Sequence, residues 1–242
     1  MTGAVGLVGL ALVLALASYV QTTIGFGANL VAITLGAWVA PLPEVLALAL
    51  PPLVAQTAAV TLRSLPDVRW DLLLRRLAPF VGAGFALGVA LIDPANARGL
   101  RPALGALVIA LAARELTSPP RPIERGAAAN AALFVGGVIN GVLTTGGPLI
   151  VWALAKEALP PRELRATLTA MWLVNNALLV AAMGVRGELT PGTLLSSAAL
   201  LPAVILGVAL GERHAGRVDA ETFRRAVWVT LLLAGIPLVF AA

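Results

Sequence analysis

Apolar residues run almost unbroken from Gly3 to Ala40, and the one interruption is Gln21-Thr22-Thr23-Ile24-Gly25-Phe26-Gly27-Ala28-Asn29. At about 1.5 Å per residue, a straight helix of that length would reach about 57 Å. The hydrocarbon core of a bilayer is only about 30 Å thick. The run must therefore break, and the pattern predicts half-helices over 3–20 and 28–40 that together form a hairpin across 3–40. Pro41 and Pro43 end it. A helix over 44–62 follows, bent at Pro51-Pro52 because an interior proline removes a backbone hydrogen bond. A polar loop from Arg63 to Arg76 leads to a helix over 77–92, and Asp93-Pro94 turns the chain into a helix over 100–116. The polar, proline-rich segment Thr117 to Arg125 marks the midpoint.

Beyond it the pattern returns. A second apolar run, Ala127 to Ala155, is cut by Asn140-Gly141-Val142-Leu143-Thr144-Thr145-Gly146-Gly147-Pro148. This predicts half-helices over 127–143 and 147–158, a hairpin spanning 127–158, and then helices over 163–184, 191–210 and 224–241. Both interruptions set two threonines before a glycine pair, Gly25/Gly27 and Gly146/Gly147. Glu44 to Gln56 and Glu163 to Asn175 have the same spacing, so Gln56-Thr57 aligns with Asn175-Asn176. Pro79, Gly84 and Gly88 align with Pro202, Gly207 and Gly211. The chain thus reads as an N-terminal repeat, 1–116, a linker, 117–125, and a C-terminal repeat, 126–242. Each repeat is a broken-helix hairpin plus three transmembrane helices.

Composition fits this fold class, an all-α polytopic membrane protein. Hydrophobic residues make up 59% and charged residues 12% of the 242, with a mean hydropathy of +0.93. A soluble domain carries about twice that charged fraction. The runs are continuous rather than alternating, which excludes a membrane β-barrel. Cysteine is absent, so neither disulfides nor thiolate metal sites arise. Met1 to Ala17 lacks a basic leading region and reads as structural rather than as a cleaved signal.

The net charge of +5 comes from basic residues in short loops between apolar runs. That placement points to membrane orientation rather than to nucleic acid. If each broken run enters and returns as a hairpin, fourteen of the 17 Lys and Arg residues fall on one side and three on the other. If each broken run crosses once, the split is eight to nine. The positive-inside rule selects the hairpins, makes the linker cytoplasmic and puts both termini outside. Three crossings per repeat invert the second half relative to the first, in the cytoplasmic membrane.

Glycine-interrupted segments at corresponding places in two halves point to a transporter's binding site. The second half-helix of each break starts with unpaired N–H groups and the positive end of its dipole, which together suit an anion. With inverted halves these two ends could meet near the midplane. The candidate substrate-binding residues are Gln21, Thr22, Thr23, Gly25, Phe26, Gly27, Asn29, Gln56, Thr57, Asn140, Thr144, Thr145, Gly146, Gly147, Pro148, Asn175 and Asn176. No predicted span carries a charge or histidine in its interior, so the anion would be held by backbone N–H groups, amides and hydroxyls. His214 reads as solvated, and the five tryptophans read mostly as interface anchors near span ends. No phosphate loop, paired span carboxylates or serine–histidine set supports an enzyme. No cofactor or metal is implied. The partners expected are a small anion and the lipid bilayer, with room left for a homo-oligomer.

Gly-Phe-Gly at 25–27, Pro43-Glu44 opening the next helix, and Gly146-Gly147-Pro148 resemble the TauE/SafE family, also called the sulfite exporter or TSUP family. The resemblance covers nearly the whole chain, duplicated halves included. It implies a membrane transporter for sulfite, sulfonates or similar sulfur anions. The family's second break often reads Gly-x-Gly-Gly-Pro. Here Thr144-Thr145 precede Gly146-Gly147-Pro148, so a hydroxyl replaces one glycine. Two other readings remain at this level: a passive channel for a small solute, and a membrane subunit of a larger complex.

Overall fold

A computed structural model of the chain describes residues 4–91, 100–117, 126–144, 146–154, 157, 159–215 and 219–240. The Asp93-Pro94 turn, positions 118–125 of the linker, and Thr145 lie outside them. Among the described residues all regular structure is helical. Among the described residues five helical segments are long and apolar enough to cross a membrane: Val5–Ile24, Leu42–Arg63, Trp70–Ala90, Pro161–Val185 and Pro191–Ala215. The chain forms two compact units, one of residues 1–68 and 165–218, the other of 69–164 and 219–242.

The first unit opens with α1, Ala4–Ile24, and α2, Ala28–Gly36. They fold back on each other: the α-carbon of Gly9 approaches Val39, and Gly36 packs on Leu10 and Val45. Next comes α3, Leu42–Arg63, which stays helical through Pro51 and Pro52. The unit closes with α9, Pro161–Val185, α10, Pro191–Ala198, and α11, Leu201–Ala215. Leu10, Leu14, Ala32, Val45, Leu53 and Val204 share its core. Instead of one helix over 191–210, the chain breaks at Ala199-Leu200. Pro202 has no N–H for the carbonyl of Ala198, so the helix restarts around it. Gly207 and Gly211 bring α11 onto α1, where an added Cβ would strike Ala15 O or Thr22 Cβ.

The second unit begins earlier than the sequence pattern suggests. The loop after α3 is short, and the helix starts at Trp70 rather than 77. Asp71 in the first turn favours this start through the helix dipole. Arg69 donates to Asp71 (3.1 Å) and to Glu163 (3.1 Å). From α4, Trp70–Leu72, the backbone widens to a π-helix over Leu73–Gly82 and then narrows to α5, Ala83–Leu91. The wide turn carries the chain past Pro79, which cannot donate to the carbonyl four residues back. α6, Leu100–Thr117, packs along α12, Ala220–Phe240. α7, Ala127–Leu143, and α8, Gly147–Leu154, form the second hairpin, with Gly136 against Ile150.

In this unit the seam between α5 and α7 is glycine on glycine. Added Cβ atoms at Gly84, Gly88 and Gly141 would each run into backbone of the opposite helix, and one at Gly137 into Val81 of the π-helix. Small residues let helices approach closely where lipid gives no hydrophobic drive.

Candidate functional site

The break between α1 and α2 is built by two glycines in a conformation other residues avoid: φ is +93° at Gly25 and +103° at Gly27. Phe26 between them is 1% exposed and pins the turn into the core. Gln21 spans the gap. Its Nε2 donates to Gly25 O (3.2 Å), and its Oε1 accepts from Ala28 N (3.1 Å). That side chain therefore satisfies the first N–H of α2. The N–H groups of Asn29 and Leu30 belong to the same first turn, which has no carbonyl four residues back.

The polar residues around this break are buried or partly buried, and their bonds separate them. Gln56 Nε2 donates from α3 to Ser18 O (3.2 Å) and Thr22 Oγ1 (3.3 Å) of α1. Asn29 Nδ2 donates to Asn176 Oδ1 of α9 at 2.8 Å. Thr23 and Thr57 spend their hydroxyls on their own helices, donating to Tyr19 O and Leu53 O. Several buried polar atoms reach no protein partner, among them Gln56 Oε1, Asn29 Oδ1 and Asn175 Nδ2. The first unit thus gathers Gln21, Thr22, Gln56, Asn29 and Asn176 about one break, with Asn175 beside Asn176.

Sequence reasoning missed Arg165 there. It sits on α9 directly over the break, with its Cα 2.8 Å and its Cγ 3.1 Å from where a Cβ on Gly25 would stand. The sequence puts it in the first turn of the helix over 163–184 and counts it with the basic loop residues; in α9 it stands on Gly25. Trp172, also read from sequence with the interface anchors, is 6% exposed inside the same helix.

In the second unit, α7 ends at Thr144, a non-glycine residue with φ +56°, whose N–H bonds Asn140 O at 3.0 Å. Gly146 lies on Gly136 O and Asn140 N, leaving no room for a side chain. Gly147 opens α8, and Pro148 is buried in its first turn, where a missing N–H costs nothing. Asn140 is 1% exposed, and its Nδ2 reaches no partner. The other surprise is charge. Arg76, expected in a loop, forms an ion pair with Glu157, their side chains 11% and 5% exposed, while its Nε donates to Asn130 Oδ1 at 3.0 Å. This pair ties the π-helix to the end of the second hairpin.

The family model for the sulfite exporter TauE/SafE matches residues 10–238. The chain belongs to that family. It is 25% identical over 245 residues to a probable sulfite/organosulfonate exporter TauE of Cupriavidus necator, covering 98% of this chain and 94% of the relative. It is also 28% identical over 103 residues to a probable inner membrane transporter protein TsaS of Comamonas testosteroni, covering 42% of this chain and 43% of that one. No solved structure matches it. Membership makes the chain a multi-pass membrane transporter and not an enzyme. No group of three or more potential metal ligands occurs among the described residues.

Proposed function

We propose that this transporter is a secondary carrier of a small sulfur-containing anion, sulfite or a sulfonate, across the cytoplasmic membrane. The anion is held at the hairpin breaks by backbone N–H groups and buried neutral side chains. The basic loops face the cytoplasm and both termini face outward. The observation that carries this reading is the break in the first unit. There the open turn of a helix N-terminus stands beside the amides of Gln21, Asn29 and Asn176, in a chain of this family. Such a turn suits an anion because its N–H groups and dipole end are positive. The break in the second unit, with its unpartnered Asn140 Nδ2, is assigned the same role.

Counterflow tests it. The purified chain in proteoliposomes should take up labelled sulfoacetate faster when unlabelled sulfoacetate is loaded inside. Uptake without trans-stimulation would mean a channel, and no flux at all would mean a subunit that needs partners. The pH dependence is a second check. Sulfonate affinity should vary by less than about tenfold from pH 5 to 8, because a sulfonate keeps its charge across that range and the residues gathered at the break include no carboxylate or imidazole.

A further inference from the structure

α9 carries donors that neither the sequence motif nor the break itself supplies. Arg165 and Asn176 are eleven residues apart, which at about 100° per residue puts them within about 20° of each other around the helix. Both touch the first hairpin: Arg165 packs on Gly25, and Asn176 accepts from Asn29. Trp172, seven residues from Arg165, falls on the same stripe of α9. Helical side chains lean toward the helix N-terminus, which brings the indole over the turn that follows Arg165. Trp172 is 6% exposed, and its Nε1 finds no acceptor. A buried donor without an acceptor calls for an explanation, and this one stands on the stripe of α9 whose other members, Arg165 and Asn176, meet the first hairpin.

We infer that α9 provides the charged half of the anion site: the Arg165 guanidinium and the Trp172 indole N–H bind the oxyanion head against the break at Gly25–Ala28. This deepens the function proposed above and rests on it. Arg165 supplies attraction and a planar pair of donors. Trp172 supplies one directional bond inside the protein, where it is not shared with water.

The test is calorimetric binding of sulfoacetate to the full chain in lipid nanodiscs, with melting temperature measured in parallel. Arg165→Lys keeps the charge but loses the fork, and Trp172→Phe keeps the ring but loses the donor. Each should weaken binding about tenfold or more, and Arg165→Gln more than Arg165→Lys, with melting temperatures near wild type. Sulfoacetate should also shift the tryptophan emission of the wild type, and Trp172→Phe should abolish most of that shift. Wild-type affinity in both Arg165→Gln and Trp172→Phe would overturn this assignment alone. If the wild type bound neither sulfoacetate nor sulfite, the proposed function would fall, and this assignment with it.

Discussion

Gly25 and Gly27 carry the two constraints that make the break possible. Both have positive φ, and at Gly25 a Cβ would in addition meet Arg165 Cα and O. Gly25→Ala and Gly27→Ala should each destabilise the protein by about 1–3 kcal/mol through backbone strain, Gly25→Ala the more. Gly184→Ala is the control: it lies in α9 with nothing within 4 Å of an added Cβ. It should be neutral or stabilising, since glycine in a helix interior is the poorer choice. Thermal unfolding in detergent would rank the three, and a Gly25→Ala protein as stable as Gly184→Ala would refute the strain argument. At the other end of the chain, Asp219 caps α12. The N–H and hydroxyl of Thr222, and after them the N–H of Glu221, hold its carboxyl below the ordinary range. A depressed carboxyl contributes stability above its unfolded pKa and loses it as the pH falls through the folded value. The start of α12 should therefore loosen only in strongly acidic buffer. Asp219→Asn should flatten that acid limb, as hydrogen exchange at Thr222 would report.

At the scale of helices, glycine seams and amide bridges set the packing. α11 meets α1 through Gly207 and Gly211, and α5 meets α7 through Gly84, Gly88 and Gly141. Gly84→Leu or Gly207→Leu must push two backbones apart, and each should sharply reduce the yield of folded protein. Gly82→Leu has nothing within 4 Å of its added Cβ and should be tolerated. Size-exclusion profiles of the three separate these outcomes. The repeat aligns Gln56 with Asn175, both candidate ligands, but Gln56 Nε2 is committed to α1. Gln56→Leu would leave Thr22 and the Ser18 carbonyl without that donor and should lower stability by about 1–3 kcal/mol. A loss of sulfoacetate affinity at unchanged stability would instead return Gln56 to the ligand set.

For the whole molecule, the orientation proposed here follows from the distribution of arginine and lysine. Alkaline phosphatase fused after Ala242 should be active, and fused within 117–125 it should be inactive. An active linker fusion would remove both the cytoplasmic assignment of the basic loops and the inversion of the halves. Each compact unit draws helices from both sequence halves. Truncating the chain at the linker should therefore leave neither half with its proper partners.

Helical class and membrane residence were legible from the sequence because both depend on local composition: long uncharged apolar runs have no other stable form in lipid. The glycine breaks were legible for a related reason, since polar residues and positive-φ glycines interrupt such runs wherever they fall. Family membership was visible in the same short motifs. Contacts between distant residues were not legible. Nothing near Arg165 in sequence says that it lies on Gly25, or near Arg76 that it is buried with Glu157 and Asn130. Arg76 left its expected loop because the helix starts at Trp70 rather than at 77. Gln56 and Asn175 align in the repeat but differ in partners, because an amide bonds whatever backbone packing puts within reach. Hydrophobicity decided which segments span the membrane. Close approach at the glycines decided which segments touch, and so which buried polar groups kept an unused hydrogen bond.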